Sequence, residues 1–260
     1  MKSMNVTFIG AGNLAWHLAP ALDNTDFPVR EVYSRDPRHA AALVEKLYEA
    51  EVRTTLDFST STSRIFIIAI TDDAIAEIAE EIILPPNAIL AHTSGSQPLT
   101  VLGYALTTIG VFYPLQTFTK AKKVDFEGIP FFIESDDSET KKILMTMAKA
   151  ISKKVHQASS ADRKVLHIGA VFASNFTNHM LHIANTLLTD HNLSFDLLKP
   201  VISETLNKSL SIGPKQAQTG PARRGDLEIL DAHMEFLQED EEVAEIYKVI
   251  SQHIVNTYQG

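Results

Sequence analysis

Residues Asn5–Ala15 read NVTFIGAGNLA, a short apolar strand followed by G-x-G-x-x-A and the start of a helical pattern. This order is typical of the nucleotide-binding turn of a Rossmann unit. Gly10 allows the tight turn after the strand, and Gly12 has no side chain to keep a pyrophosphate away from the backbone. The helix that begins at Asn13 and Leu14 presents free N–H groups and the positive end of its dipole to phosphates. We therefore predict a dinucleotide site here; the alternative is an ordinary glycine turn.

Composition narrows the class of protein. The chain has 260 residues, which suggests two domains, and a net charge of -9, which argues against a broad nucleic-acid surface. It has no cysteine, so disulfides, thiolate catalysis and cysteine metal sites are excluded, and a reducing cytoplasm is the expected location. No apolar run reaches the length of a membrane span, and because the first predicted strand begins at Asn5, we expect no signal peptide.

Strands and helices alternate in the first part of the chain, and only helices are predicted in the second. The predicted strands are Asn5–Ile9, Val29–Ser34, Arg64–Ile70, Ala88–His92, Ile109–Tyr113 and Ile129–Glu134. The predicted helices are one from Asn13, then Pro37–Ala50, Asp73–Ile83, Ser138–Ser152, Ala161–His191, Phe195–Ser211, Asp226–Gln238 and Glu241–Tyr258. The fold class is thus α/β, a doubly wound Rossmann sheet with a C-terminal all-helical domain. We predict a dinucleotide-binding domain over residues 1–156 and a helical domain for substrate binding over residues 157–260.

The end of the second strand indicates which dinucleotide binds. An acidic residue there would bind the ribose hydroxyls of NAD, but this strand runs into Ser34 and Arg35. Arg35 can pair with a 2′-phosphate, Ser34 can donate to it, and Arg38 is a second candidate cation. NADP is therefore the predicted cofactor. Asp36 keeps NAD open as the alternative, in which Arg35 is a solvated charge.

The segment that follows the third predicted strand lies on the ligand side of the sheet. Backbone groups near Thr71 and Asp72 can reach the nicotinamide ribose. Equally, Asp72 or Asp73 can cap the next helix, and both interpretations can hold together.

With these motifs, the first domain resembles the 6-phosphogluconate-dehydrogenase-like superfamily, which includes pyrroline-5-carboxylate reductases, prephenate dehydrogenases and deazaflavin-dependent NADP oxidoreductases. A narrower group of uncharacterised Rossmann-like NADP oxidoreductases is similar over nearly the whole chain. The motifs that carry this resemblance are HTSGS at His92–Ser96, YPLQTF at Tyr113–Phe118, ASN at Ala173–Asn175 and GPARRGD at Gly220–Asp226. The resemblance implies an NADP oxidoreductase and, because such helical domains commonly dimerise, a homodimer.

Two motifs after strands are candidate substrate sites. Ser94 and Gly95 are similar to the Ser-Gly turn with which hydroxyacid dehydrogenases hold a substrate carboxylate. The alternative is a plain turn before the next helix. Tyr113 stands where relatives often have histidine, and a tyrosine is first a hydrogen-bond donor.

The long predicted helix carries the candidate catalytic residues. Lys164 and His167 resemble the catalytic Lys-x-x-His pair of 6-phosphogluconate dehydrogenase, and Asn175 matches the asparagine of the hydroxyisobutyrate dehydrogenases. The lysine that those enzymes place four residues earlier is Val171 here. At 100° per residue, His167 falls on one line with Ser174, Asn178 and Asn185, which predicts either a wall of the substrate site or a hydrogen-bonded seam between helices or subunits.

The loop Thr219–Asp226 places two arginines in a Gly/Pro frame. Arg223 and Arg224 can clamp a carboxylate or phosphate. Alternatively, Asp226 caps the next helix and an arginine pairs with it.

These observations predict an NADP-dependent oxidoreductase that transfers a hydride between NADP(H) and a small, anionic substrate bound between the domains. The alternative is a non-catalytic NADP-binding sensor or partner-binding protein on a dehydrogenase scaffold. The predicted partners are the substrate and a second copy of the chain, with no nucleic acid, membrane or metal.

Overall fold

A computed structural model describes residues 4–259. The contacts of the chain separate it into two compact units, one that ends at Asn175 and one that begins at Phe176. The boundary at residue 156 remains a prediction about where the cofactor-binding part ends.

The first unit contains one eight-stranded sheet, whose order is β3-β2-β1-β4-β5-β6-β7-β8. All neighbouring strands run parallel except β6 and β7, which are antiparallel. The strands are β1 (Val6–Ile9), β2 (Val29–Tyr33), β3 (Glu51–Arg53), β4 (Ile65–Ile68), β5 (Ile89–His92), β6 (Thr108–Pro114), β7 (Phe131–Glu134) and β8 (Val155–Gln157). The order reverses at β1, so a crevice is expected outside the carboxyl ends of β1 and β4.

Helices cover both faces of this sheet. They are α1 (Asn13–Asp23), α2 (Pro37–Val44), α3 (Ile75–Glu81) and α4 (Ser138–Lys149), and α5 (Ser160–Ala170) follows β8 near the end of this unit. Strand β1 shows why two layers form, because Phe8 packs in the core cluster that contains α1, α2 and α4, while Ile9 packs in the cluster that contains α3. Alternate side chains of one strand therefore enter different cores, and both faces are buried.

The regular elements of the second unit, within its described residues, are all helices joined by turns and short loops. Its helices are α6 (Thr177–Asp190), α7 (Lys199–Ile212), α8 (Pro214–Ala217), α9 (Pro221–Arg224), α10 (Leu227–Phe236) and α11 (Glu241–Gln259). Over residues 4–259, none of the helices is both long enough and apolar enough to cross a membrane. The predicted fold class, a Rossmann sheet followed by a helical region, is confirmed.

The structure differs from the prediction at the sheet edges and in the long helix. Edge strands β3 and β8 have three residues each, too short and too polar to give a hydrophobic pattern. The helix predicted over Ala161–His191 is interrupted by a π-helical segment, Val171–Phe176. A π turn closes over five residues rather than four, so the 100° spacing that aligned His167 with Asn178 does not continue through it.

Candidate functional site

The glycine turn adopts the geometry that its sequence predicts. Gly10 has a φ of +111°, and a Cβ there would lie 2.3 Å from the carbonyl oxygen of Ala69. Gly12 is the N-cap of α1 and provides no side-chain cap, so the first N–H groups of the helix stay available. Ala15 is fully buried, which allows α1 to pack closely on the sheet. The turn thus leads the backbone past the end of β1 and presents helix N–H groups to a ligand.

A cleft of about 580 Å³ opens at this turn, beyond the carboxyl ends of β1, β2 and β4. It brings together seven of the eight predicted cofactor-binding residues: Gly10, Gly12, Asn13, Leu14, Ser34, Arg35 and Thr71. It is also lined by His39, Thr93 and Lys120, which the sequence analysis does not identify. Among the described residues, none that line the cleft is acidic, so its charged lining is basic.

Asp36, the acidic residue that would favour NAD over NADP, is paired with Arg38 outside the cleft. Asp36 caps α2 by accepting from the backbone N–H of Arg38, and it pairs with the Arg38 guanidinium at 2.7 Å. The hydrogen bond from the Arg38 side chain is the main reason that the pKa of the Asp36 carboxyl falls to about 2. Neither Asp36 nor Arg38 lines the cleft, whereas Arg35 does. The local geometry therefore leaves a cation, not a carboxylate, at the tip of β2.

Asp72 is the predicted cofactor residue that lies outside the cleft lining. Its carboxylate accepts a hydrogen bond from the hydroxyl of Ser96. The alternative prediction, a helix cap at Asp72 or Asp73, is wrong, because Thr71 and Ala74 hold the N-cap positions there and neither helix start has a side-chain cap. Asp72 instead connects the segment after β4 to the turn after β5.

That turn follows His92, the last residue of β5. The hydroxyl of Ser94 accepts from the N–H groups of Ser96 at 3.1 Å and Gln97 at 3.0 Å, and the N–H of Ser94 donates to Nδ1 of His92 at 3.1 Å. The Ser94 hydroxyl therefore stabilises its own turn, as Ser side chains often do. Substrate binding by Ser94 and Gly95 stays a prediction.

Gly95 packs against two predicted site residues. A Cβ at Gly95 would lie 2.5 Å from Cζ of Tyr113 and 2.8 Å from Nδ1 of His167. The Tyr113 hydroxyl and Nδ1 of His167 are themselves 3.3 Å apart, within hydrogen-bond distance. We call Ser94, Gly95, Tyr113 and His167 the Tyr113–His167 cluster. It places a phenol and an imidazole side by side at a glycine, the composition of a proton-donating site.

Burial sets the protonation states of the aromatic groups near this cluster. It raises the pKa of the Tyr113 phenol to about 12, with the Arg163 charge opposing and the Asp72 charge adding to the shift. Burial also lowers the pKa of His92 to about 4, and the Arg163 charge lowers it further. At neutral pH, Tyr113 is therefore a neutral hydrogen-bond donor, and His92 is a neutral imidazole.

Arg163, one helical turn before His167, is the residue that sequence reasoning missed. It is fully buried and pairs with Glu134 of β7 at 2.7 Å. Its Nη1 donates to the carbonyl oxygens of Ser94 at 2.8 Å and Gln97 at 3.0 Å. Arg163 thereby attaches α5 to the turn after β5 and holds His167 near Gly95. No local pattern distinguishes it from neighbouring charges, because Glu134, Ser94 and Gln97 precede it by 29, 69 and 66 positions, and its one local partner is the hydroxyl of Ser160.

The other two predicted catalytic residues are not part of this cluster. Lys164 is exposed, and Asn175 is exposed at the end of the first unit, inside the π-helical segment. Their catalytic roles stay predictions.

The predicted arginine clamp lies in the helical unit. Arg224 pairs with Asp226 at 2.7 Å, and the Arg223 guanidinium lies 4.1 Å from the centroid of the Tyr258 ring. Asp226 holds the N-cap position of α10 but makes no side-chain cap bond. The alternative interpretation is therefore met in part: an arginine pairs with Asp226, but the Asp226 side chain does not cap α10.

Together, the glycine turn, the basic cleft and the switch in strand order define a dinucleotide-binding Rossmann protein of the dehydrogenase type. A "putative NADP oxidoreductase" from Bacteroides fragilis is 39% identical, covering 98% of this chain and 99% of that chain with a TM-score of 0.90. The chain belongs to the same 6-phosphogluconate-dehydrogenase-like NADP oxidoreductase family, as its motifs predict.

More distant structures share the fold. A reductive aminase from Aspergillus terreus, in complex with NADPH and ethyl-5-oxohexanoate, is 16% identical, covering 98% of this chain and 94% of that chain with a TM-score of 0.72. Prephenate dehydrogenase from Aquifex aeolicus is 14% identical, covering 97% and 98%, with a TM-score of 0.57. A family model described as a domain of unknown function, DUF2520, matches residues 129–254. A search of the curated proteins finds no match.

Proposed function

We propose that this protein is an NADP-dependent oxidoreductase that transfers a hydride between NADP(H) and a small, anionic substrate. The observation that carries the proposal is the cleft at the glycine turn, where Arg35 stands at the tip of β2 and no described lining residue is acidic. A dinucleotide with a 2′-phosphate suits this lining, because Asp36, the carboxylate that would favour an unphosphorylated ribose, is paired with Arg38. Relatives named as NADP oxidoreductases and NADPH-bound reductive aminases support the same assignment.

Each part of the site has a role in this proposal. The N–H groups at the start of α1 and the Gly12 backbone bind the pyrophosphate, and Ser34 and Arg35 bind the 2′-phosphate. The bound cofactor supplies the hydride chemistry. Thr71 orients the nicotinamide end from the carboxyl end of β4.

The Tyr113–His167 cluster supplies the proton. Tyr113 stays protonated at neutral pH and donates a hydrogen bond, while His167 exchanges the proton through its Nδ1, 3.3 Å from the phenol oxygen. The Ser94–Gly95 turn holds the anionic end of the substrate, and Lys164, Asn175, Arg223 and Arg224 are further candidates for contacts with it.

Calorimetric titration with NADPH and NADH tests the cofactor assignment. We expect the wild type to bind NADPH with micromolar affinity and NADH much more weakly, and Arg35→Ala to lose most of this preference. Arg30→Ala is the matched control, because Arg30 lies on β2, five residues before Arg35, pairs with Glu49 at 2.8 Å and does not line the cleft. Failure of the wild type to bind either cofactor would overturn the proposal.

Turnover distinguishes the enzyme from a non-catalytic NADP sensor on the same scaffold. NADPH absorbance in a screen of small keto and imino acids reports oxidation of the cofactor. We expect His167→Ala to abolish turnover and to leave NADPH binding intact. Binding without turnover of any substrate, together with a partner captured only when NADPH is present, would favour the sensor.

The proposal includes a homodimer formed through the helical unit. Apolar side chains of this unit are exposed, among them Leu197 at 66% and Leu210 at 87%, and an apolar cavity of about 400 Å³ is lined by Met180, Ile183 and Leu187 with residues of α10 and α11. Exposed apolar surface of this kind commonly marks an interface. Light scattering on the purified protein measures the oligomeric state.

A further inference from the structure

A lysine from a distant part of the chain reaches the cofactor cleft. Lys120 lies in the connection between β6 and β7, yet it lines the cleft together with Arg35 and His39. We propose that Lys120 binds a phosphate group of the bound dinucleotide, as a second cation beside Arg35. This inference rests on the proposed function and adds a specificity-determining residue to it.

The backbone around Lys120 is held against α1. The carbonyl oxygen of Thr119 accepts a hydrogen bond from Nε2 of His17 at 2.9 Å. The ring of Phe118 stacks on His17, with 6.3 Å between centroids, and on Phe126, with 5.9 Å. These contacts fix the residues immediately before Lys120, so the connection crosses to the helix that opens the cleft and stays there.

An aromatic ring orients the ammonium group. Nζ of Lys120 lies 4.7 Å from the centroid of the Trp16 ring, a cation–π distance. Trp16 belongs to the first turn of α1, the turn whose N–H groups face the cleft. The ammonium is therefore held close to the helix N-terminus, where anions are favoured.

Lys120 has hydrogen-bonding capacity left for a ligand. None of the ion pairs within residues 4–259 includes it, and a cation–π contact uses none of its three N–H donors as hydrogen bonds to oxygen. Since the described cleft lining holds no carboxylate, the anion that Lys120 can pair with there is one that the ligand brings. A dinucleotide with a pyrophosphate and a 2′-phosphate brings that anion.

The chain provides a matched control on the same ring. Nζ of Lys46 lies 4.5 Å from the Trp16 centroid, but Lys46 does not line the cleft. Lys46→Gln therefore removes an equivalent contact with Trp16 without removing a cation from the cleft. Lys120→Arg keeps the charge and tests whether a cation at this position is sufficient.

The experiment is calorimetric titration of wild type, Lys120→Gln, Lys120→Arg and Lys46→Gln with NADPH and with NADH. We expect Lys120→Gln to weaken NADPH binding by about fivefold to twentyfold, which lies between the effect of an exposed ion pair and that of a buried hydrogen bond to a charged group. Lys120→Arg and Lys46→Gln should stay within about twofold of the wild type. Lys46 and Lys120 are both exposed, so each variant should fold. The melting temperature of each variant checks this.

The two cofactors identify which phosphate is bound. A loss seen with NADPH alone assigns Lys120 to the 2′-phosphate, and an equal loss with both assigns it to the pyrophosphate. Wild-type affinity in Lys120→Gln, or an equal loss in Lys46→Gln, overturns the inference while NADPH binding by the wild type still supports the proposed function. If the wild type binds neither cofactor, the proposed function itself fails.

Discussion

The glycine turn and the Tyr113–His167 cluster lie at the same carboxyl edge of the sheet, but they are held in different ways. The turn depends on backbone conformation within a few residues, with Gly10 at a φ of +111° and Gly12 as the open N-cap of α1. The cluster depends on contacts between the turn after β5, Tyr113 of β6 and His167 of α5, and the fully buried Arg163 holds α5 to that turn. A site of local origin can be predicted from a motif, and a site of tertiary origin requires the fold.

The largest effect is expected at Arg163, on which the cluster depends. Arg163→Ala leaves Glu134 without its cation and two carbonyl oxygens without a donor, and it should lower the free energy of unfolding by about 3–5 kcal/mol. Lys164→Ala, the exposed neighbour, should change it by less than about 0.5 kcal/mol. Denaturant unfolding of both variants measures the difference. Equal effects would show that Arg163 does not hold the cluster together.

The glycine turn should separate stability from binding. Gly10→Ala forces a Cβ to 2.3 Å from the Ala69 carbonyl oxygen at a φ that is strained for alanine, and it should cost about 2–4 kcal/mol of stability. At Gly12 a Cβ would meet the same oxygen at an ordinary 4.0 Å, so Gly12→Ala should cost less than about 1 kcal/mol. It should nevertheless abolish NADPH binding, because the methyl group occupies the space of the pyrophosphate.

Denaturant unfolding measures the stability of the two glycine variants, and calorimetric titration measures their affinity for NADPH. A stable Gly10→Ala would contradict the backbone account of the turn. Unchanged NADPH affinity in Gly12→Ala would contradict the placement of the pyrophosphate.

A pH dependence should arise next to the cluster. The pKa of His92 is about 4 in the folded protein and near its ordinary value of 6.5 in the unfolded chain, so the unfolded chain binds the proton first as the pH falls. Stability is therefore retained above pH 6.5 and lost between pH 6.5 and 4, by up to about 3 kcal/mol. His92→Asn keeps an acceptor for the Ser94 N–H and should remove this part of the dependence. An unfolding series across pH, with the exposed His156→Asn as control, measures it; identical profiles for wild type and His92→Asn would refute it.

Much of the fold could be predicted from the sequence because its strands and helices, like the glycine turn, carry their signals in a few consecutive residues. Apolar strands such as β4 must be buried on both faces, and the order of strand and helix then determines a parallel sheet. The edge strand β3 could not be predicted from the sequence, because a polar three-residue strand is defined only by its hydrogen bonds to β2. The π-helical segment likewise has no signal in hydrophobic spacing.

In the candidate site, the residues near the glycine motif line the cleft, and their role in cofactor binding stays a prediction. The sequence analysis missed the residues that come from elsewhere in the chain. Ser34 and Arg35 follow the next strand along the chain, so their position follows from topology. Lys120 and Arg163 come from distant elements. The sequence around each shows a charged residue in a polar stretch, and only the fold shows what that residue contacts. Between Arg163 and Lys164, the sequence favoured the exposed one.

The absence of described acidic residues from the cleft lining has a kinetic consequence in a chain whose net charge is -9. An anionic cofactor is repelled at long range by this net charge, and it is attracted at short range by Arg35 and Lys120, which line the cleft. Added salt screens the long-range repulsion and the short-range attraction alike. Raising the ionic strength should then accelerate arrival of the cofactor while it shortens its residence, so that the rate of capture and the strength of capture move in opposite directions.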